Sequence, residues 1–130
     1  MSININLWAV VASALAAFLL GGLWYSPVLF LNTWLREAGV QKKDQHSMST
    51  YIISILLMLV AAFIFALFLG PKPSLVASLA IGLITGIGWG ATSFGINYAY
   101  AGKSFKLFLI DGGYHTLQFV LYGLILGLLH

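Results

Sequence analysis

The chain has 130 residues, of which 61% are hydrophobic, 15% aromatic and only 7% charged, against about 25% charged in an ordinary globular domain. So few charges cannot cover a water-soluble surface, and so apolar a chain is not disordered. The formal net charge of +3 rests on six Lys and Arg, too few for a nucleic-acid-binding face, and the absence of cysteine excludes disulfides, iron–sulfur clusters and thiol chemistry.

A bilayer core of about 30 Å takes about 20 apolar helical residues, and four stretches supply them, at residues 7–31, 51–69, 75–100 and 107–129. Helices are required because lipid offers a bare backbone no hydrogen-bond partner. The expected fold class is therefore all-α: an integral membrane four-helix bundle forming one transmembrane domain over residues 1–130. The first stretch lacks a basic leader, and its apolar run outlasts that of a signal peptide, so it reads as a retained span. Gly21-Gly22 and Ser26-Pro27 interrupt it.

The connection that follows is the longest polar segment. Phe30, Leu31, Trp34, Leu35 and Ala38 share one helical face and predict a short interfacial helix, with Gly39 as its stop. Arg36-Glu37 and Lys42-Lys43-Asp44 read as a solvated face, with His46 in the loop. Gly70-Pro71-Lys72-Pro73-Ser74 is a tight turn with Ser74 as N-cap of the third span, and Gly102-Lys103-Ser104 does similar work before the fourth. Arg36, Lys42, Lys43, Lys103 and Lys106 fall on one side and only Lys72 on the other. By the positive-inside rule, residues 32–50 and 101–106 are expected in the cytoplasm and both termini outside.

Shifting the chain by 65 residues places Val11-Ala12-Ser13 on Val76-Ala77-Ser78, Gly21 on Gly86, Trp24 on Trp89 and Asn32 on Asn97. This suggests two repeated helical hairpins in parallel orientation, related by an axis along the membrane normal. Gly86, Gly88 and Gly90 then interrupt the third span at the depth where Gly21-Gly22 interrupt the first. Paired interruptions of this kind either mark a binding site or allow close packing. Ser78, Gly82, Gly86 and Gly90 follow at four-residue spacing, with Gly123 and Gly127 on the fourth span. Such a stripe seats another helix, of the same chain or of a second copy, and a chain this small is expected to work as a homo-oligomer among membrane lipids.

Asp111 is the only acidic residue within a predicted span. At 100° per residue, Asp111, His115, Gln118 and Tyr122 fall within an arc of about 60°, a face that must turn away from lipid. Asp111 and His115, at i and i+4, are expected within reach of each other. Thr92 and Asn97 on the third span complete the expected polar centre, and Trp24, Tyr25, Ser26 and Trp89 are candidate cavity walls. Gly112-Gly113 is expected to loosen the helix beside Asp111. Three roles are open for the centre: a structural lock, a proton or cation relay, or a small-molecule or catalytic site. Two strong ligands are too few for most metals, no nucleophile–base pair is visible, and no cofactor is expected. His130 is terminal.

The run Gly21-Gly22-Leu23-Trp24-Tyr25-Ser26-Pro27-Val28-Leu29-Phe30, followed by Trp34, and the element Ile110-Asp111-Gly112-Gly113-Tyr114 resemble the hallmarks of small bacterial and fungal membrane proteins grouped as the domain of unknown function 1761 family. The resemblance spans nearly the whole chain. It implies a four-span integral membrane protein and assigns no activity. The expectation from the residues is a protein that moves or senses a small solute or cation at Asp111 and His115; the alternative is an accessory subunit that packs against other membrane helices.

Overall fold

The computed structural model describes residues 5–41 and 47–129; Lys42, Lys43, Asp44, His46 and His130 lie outside the described residues. Regular structure in the described residues is entirely helical: α1 (Leu7–Trp24), α2 (Leu31–Ala38), α3 (Met48–Leu69), α4 (Leu75–Thr85), a π segment (Gly86–Ala91), α5 (Thr92–Ala101) and α6 (Phe105–Leu129). Four helices are long and apolar enough to cross a membrane: α1, α3, the run Leu75–Ala101 that joins α4 to α5, and α6.

Local chemistry sets the helix ends. The Asn6 side chain accepts from the amides of Trp8 and Ala9, Ser74 from the amide of Ala77 at 3.1 Å, and Ser104 from the amide of Leu107 at 3.2 Å. Each cap satisfies amides that the first helical turn leaves open. The first span is shorter than its apolar run. It stops at Trp24 because Pro27 has no amide hydrogen to continue the ladder and the Ser26 hydroxyl turns back onto the Leu23 carbonyl at 2.7 Å. The interfacial helix lies where the apolar spacing places it, and it ends at Gly39, whose φ of 75° and amide bond to the Leu35 carbonyl form a left-handed cap.

α6 is the central helix. It has the lowest mean hydropathy of the four spans, 1.3 against 3.1 for α3, and the largest buried share, 39% against 17%. The least lipid-compatible helix is thus the one the others cover. It packs against α4, α1 and the π segment, while α3 leans mainly on α1. The α4–α6 contact is backbone against backbone. A Cβ at Gly86 would lie 2.7 Å from the Thr116 Cα, one at Gly82 would overlap the Phe119 carbonyl, and one at Gly123 would overlap the Ser78 carbonyl. Small residues permit that approach, and van der Waals contact then holds the helices together. The helix seated on the stripe therefore belongs to the same chain.

The π segment changes the register of everything after it. The Thr92 amide bonds the Ile87 carbonyl, five residues back, so one extra residue is wound into the turn. Four-residue spacing continues from Ser78 through Gly82 to Gly86 and then slips by one. Gly90 leaves the tight seam, its added Cβ no closer than 3.8 Å to the His115 side chain. Ala91 faces Gly112, Phe94 stacks on His115, and Tyr98 reaches Asp111. Trp24 and Trp89 likewise diverge, although Gly21 and Gly86 both face α6 and Ser13 and Ser78 are both fully buried.

The two ends of the bundle differ. At one, Lys103 Nζ donates to the Ala38 carbonyl at 3.4 Å. The Glu37 carboxyl is held below its ordinary value there, first by a hydrogen bond from Ser104, with Lys106 and Arg36 adding to it against some desolvation. That contact is present above the ordinary glutamate range and is lost as pH falls through the lowered value. At the other end the Asn6 side chain bonds the Leu129 carbonyl, beside a recess lined by Leu69, Lys72 and Leu126.

Because the extra residue is confined to the π segment, deleting Gly88 should straighten the span and leave α5 on the same face, with a melting temperature in detergent within a few degrees of the parent. Deleting Gly95, after the slip, turns Tyr98 by about 100° and should lower the melting temperature sharply. Equal behaviour of the two deletions would sink the register argument.

Candidate functional site

Asp111 lies seven residues beyond Ser104, about 10 Å along the helix, and is only 6% exposed. Its two carboxylate oxygens are held from two other elements. The Tyr25 hydroxyl, just past the end of α1, donates to Oδ1 at 2.6 Å. The Tyr98 hydroxyl of α5 donates to Oδ2. An acid that no lysine or arginine among the described residues neutralises is thus solvated by phenols, strong neutral donors that carry their own apolar rings into the bundle.

His115 does not bond Asp111, although the two share a helix face. Its Nδ1 lies 2.5 Å from Gln118 Oε1. Gln118 Nε2 donates to the Tyr122 hydroxyl at 2.8 Å, and Tyr122 donates to the Met58 carbonyl at 3.1 Å. With the amide nitrogen committed as donor, Oε1 accepts, which assigns the proton to His115 Nδ1. The chain ends on a backbone carbonyl and so orients the imidazole rather than conducting protons away from it. The face read as one constellation is therefore two networks. They are joined by rings: Tyr114 packs edge-on against Tyr25 at 5.5 Å and against His115 at 4.8 Å.

Several expected members lie elsewhere. Thr92 and Asn97 are exposed, and the Thr92 hydroxyl is spent on the Gly88 carbonyl at 2.6 Å. The one-residue slip of the π segment puts Tyr98, not Asn97, at Asp111. Trp89 is 65% exposed, packed against Phe68, and is not among the residues lining the cavity beside Tyr25. The Trp24 indole donates to the Ile110 carbonyl at 2.9 Å and pins α1 to α6. Ser26 closes the end of α1. Of the four candidate wall residues only Tyr25 lines the cavity between α1, α2, α3 and α6. Gly112-Gly113 does not loosen α6, which is unbroken there; Gly113 leaves room for the Trp24 ring and Gly112 for Ala91.

A cavity of about 350 Å³ lies between α1, α2, α3 and α6. Gly21 and Gly22 form part of its floor, Tyr25, Tyr114 and His115 one side, and Trp34 and Tyr51 its mouth beside α2. Asp111 stands one phenol behind this wall. The Tyr114 hydroxyl is fixed to the Ala17 carbonyl at 2.7 Å. Nothing in the local sequence around Tyr98, Tyr114 and Trp34 marks them as members of the site. The run Gly86-Ile87-Gly88-Trp89-Gly90 was the one available sign that an α-helical count would fail past it. Among the described residues no three His, Cys, Asp or Glu side chains come together as a metal site would require.

Removing the acceptor isolates its donors. Asp111→Ala leaves two phenol hydroxyls without their partner, at about 1–3 kcal/mol for each buried unmade bond, so the melting temperature should fall. Adding Tyr25→Phe to Asp111→Ala should then cost much less than Tyr25→Phe alone. Strictly additive losses in this double-mutant cycle would contradict the bond.

No curated protein and no solved structure matches the chain. A family model does, that of the protein of unknown function DUF1761, over residues 8–127. That match takes in the glycine seam, the π segment, both tyrosines at Asp111 and the cavity, and the chain belongs to this family of proteins of unknown function.

Proposed function

We propose that the protein binds a small solute or cation in the cavity and moves it across the membrane, with proton exchange at Asp111 and His115 as the coupling step. The observation that supports this most directly is a buried carboxylate held by Tyr25, a residue that also forms the cavity wall. An ionisable side chain inside a span is costly. A lock between helices needs no cavity beside it, whereas a binding centre does. His115 lines the same cavity, its Nδ1 held by Gln118.

The cavity reaches from Leu31, Trp34 and Thr50 down to Met58. Beyond it the bundle is closed by Phe65, Phe119 and Tyr122, which pack ring on ring. In this arrangement the site opens toward the end that carries Arg36, Lys103 and Lys106. We place that end in the cytoplasm, with both termini outside, since Lys72 stands alone at the other. Passage requires that the aromatic core separate, within the chain or at a contact between copies in a homo-oligomer.

Flux into liposomes under an imposed pH gradient tests the reading. The parent protein should show pH-dependent flux of a small cation. Asp111→Asn should lower it at least tenfold while the melting temperature stays within a few degrees. Full flux in this variant overturns the relay, and no flux from the parent overturns transport in favour of an accessory role. Orientation is checked separately: a C-terminal reporter active only in the cytoplasm should stay silent, and a strong signal would reverse the assignment.

A further inference from the structure

Resting on that reading of the cavity, we infer that its occupant is an organic ammonium ion with apolar substituents. Three features of the wall lead there. The first is ring density. Tyr25 meets Trp34 edge-on at 6.0 Å and Tyr114 at 5.5 Å, and Tyr114 meets His115 at 4.8 Å. Tyr51 closes the opposite side, edge-on to Phe18 at 6.1 Å. All of these rings line the cavity. Ring faces carry a negative quadrupole and attract a cation within about 6 Å of the centroid, most strongly where water is excluded.

The second feature is the sign of the field. Among the described residues, no lysine or arginine lines the cavity. The guanidinium of Arg36, at the same end, is 66% exposed and paired with Glu37. The acidic group behind the wall is Asp111, and Tyr25 links it to the cavity: a phenol that donates to a carboxylate has a more negative oxygen. An anion would find no cation among the described residues of the wall, and a neutral solute would leave the field of the carboxylate unused.

The third feature is the poverty of competing polar groups. The Tyr25 and Tyr114 hydroxyls are already committed as donors, to Asp111 and to the Ala17 carbonyl. Among the described residues, Thr50 and Ser54 of α3 and Tyr51 supply the other hydroxyls on the wall. A strongly hydrated metal ion would therefore not recover its lost water. An ammonium whose charge is spread under alkyl or aryl groups is weakly hydrated and matches rings better than it matches water. A volume near 350 Å³ admits one such ion and no polymer or lipid headgroup with its chains.

Binding of benzyltrimethylammonium to the full-length protein in nanodiscs, measured by titration calorimetry, tests the assignment. Choline and its neutral carbon isostere, 3,3-dimethylbutan-1-ol, isolate the charge. The ammonium probes should bind, and choline should exceed the isostere at least tenfold. Trp34→Leu should weaken benzyltrimethylammonium three- to tenfold and Asp111→Asn at least fivefold, while Tyr25→Phe, which keeps the ring, should weaken it less than Asp111→Asn does. If Asp111→Asn fails to fold, the choline pair and Trp34→Leu decide. Equal binding of choline and its isostere, or ammonium binding indifferent to both Trp34 and Asp111, overturns the assignment. Asp111-dependent flux of an inorganic cation or a neutral solute without ammonium binding overturns the ligand class alone; no binding and no flux removes the cavity reading with it.

Discussion

Two phenols on one buried carboxylate organise the upper half of this bundle. Asp111 stands about 10 Å into α6, where an unpaired charge costs several kcal/mol, and within hydrogen-bond reach its partners are Tyr25 from the end of α1 and Tyr98 from α5. Each donor depends on an interruption in its own helix. α1 stops before Pro27, which leaves Tyr25 at the mouth of the bundle, and the π segment turns α5 until Tyr98 faces inward. The helix breaks thus serve the polar centre, and the polar centre in turn ties three elements together. α5 itself has no buried residue.

The lower half is held differently. There α6 meets α4 through Gly82, Gly86 and Gly123 at backbone distance, and Phe65, Tyr122 and Leu126 fill the centre with Ala9, Ala17 and Ala62. Tyr122 belongs to both halves: its ring is part of this core, and its hydroxyl links Gln118 to the Met58 carbonyl. The result is a bundle that is tightly packed around Phe65 and Tyr122 on one side of His115 and holds the cavity on the other. The space exists because Gly22 has nothing within 4 Å and Gly21 meets only the Tyr114 ring, so α1 passes α3 and α6 without filling the gap.

The aromatic content of the chain acquires a position in this arrangement. An aromatic fraction of 15% is ordinarily divided between interfacial belts and core. Here Trp34, Tyr25, Tyr114 and His115 form a run of edge-on rings from the short helix α2 to the centre of α6. α2 is held over that run by Lys103 on the Ala38 carbonyl and by Glu37 near Ser104, so the cavity mouth is built from the interfacial helix and the turn before α6 together.

Hydropathy, breakers and caps are local quantities, and they determined the four spans, the short helix ending at Gly39, the caps at Ser74 and Ser104, and the isolation of Asp111 as the acid that must face inward. The glycine seam was legible too, because four-residue spacing of small residues is a property of one helix. Which helix fills the seam was not, since a second copy of the chain offers the same chemistry as α6. Counting at 100° per residue named Asn97 and Thr92 for the centre, and one extra residue between Gly86 and Ala91 made the answer Tyr98. The same slip carried Trp89 outward while its counterpart Trp24 turned onto α6. The pairing of Asp111 with His115 looked natural from spacing alone, yet phenols from other helices took both carboxylate oxygens and Gln118 took the imidazole. A helix reports which of its faces is polar. Only the packed neighbours decide which donor reaches that face, because a hydrogen bond is won by the group whose backbone places it within about 3 Å, and that placement is a property of the whole bundle.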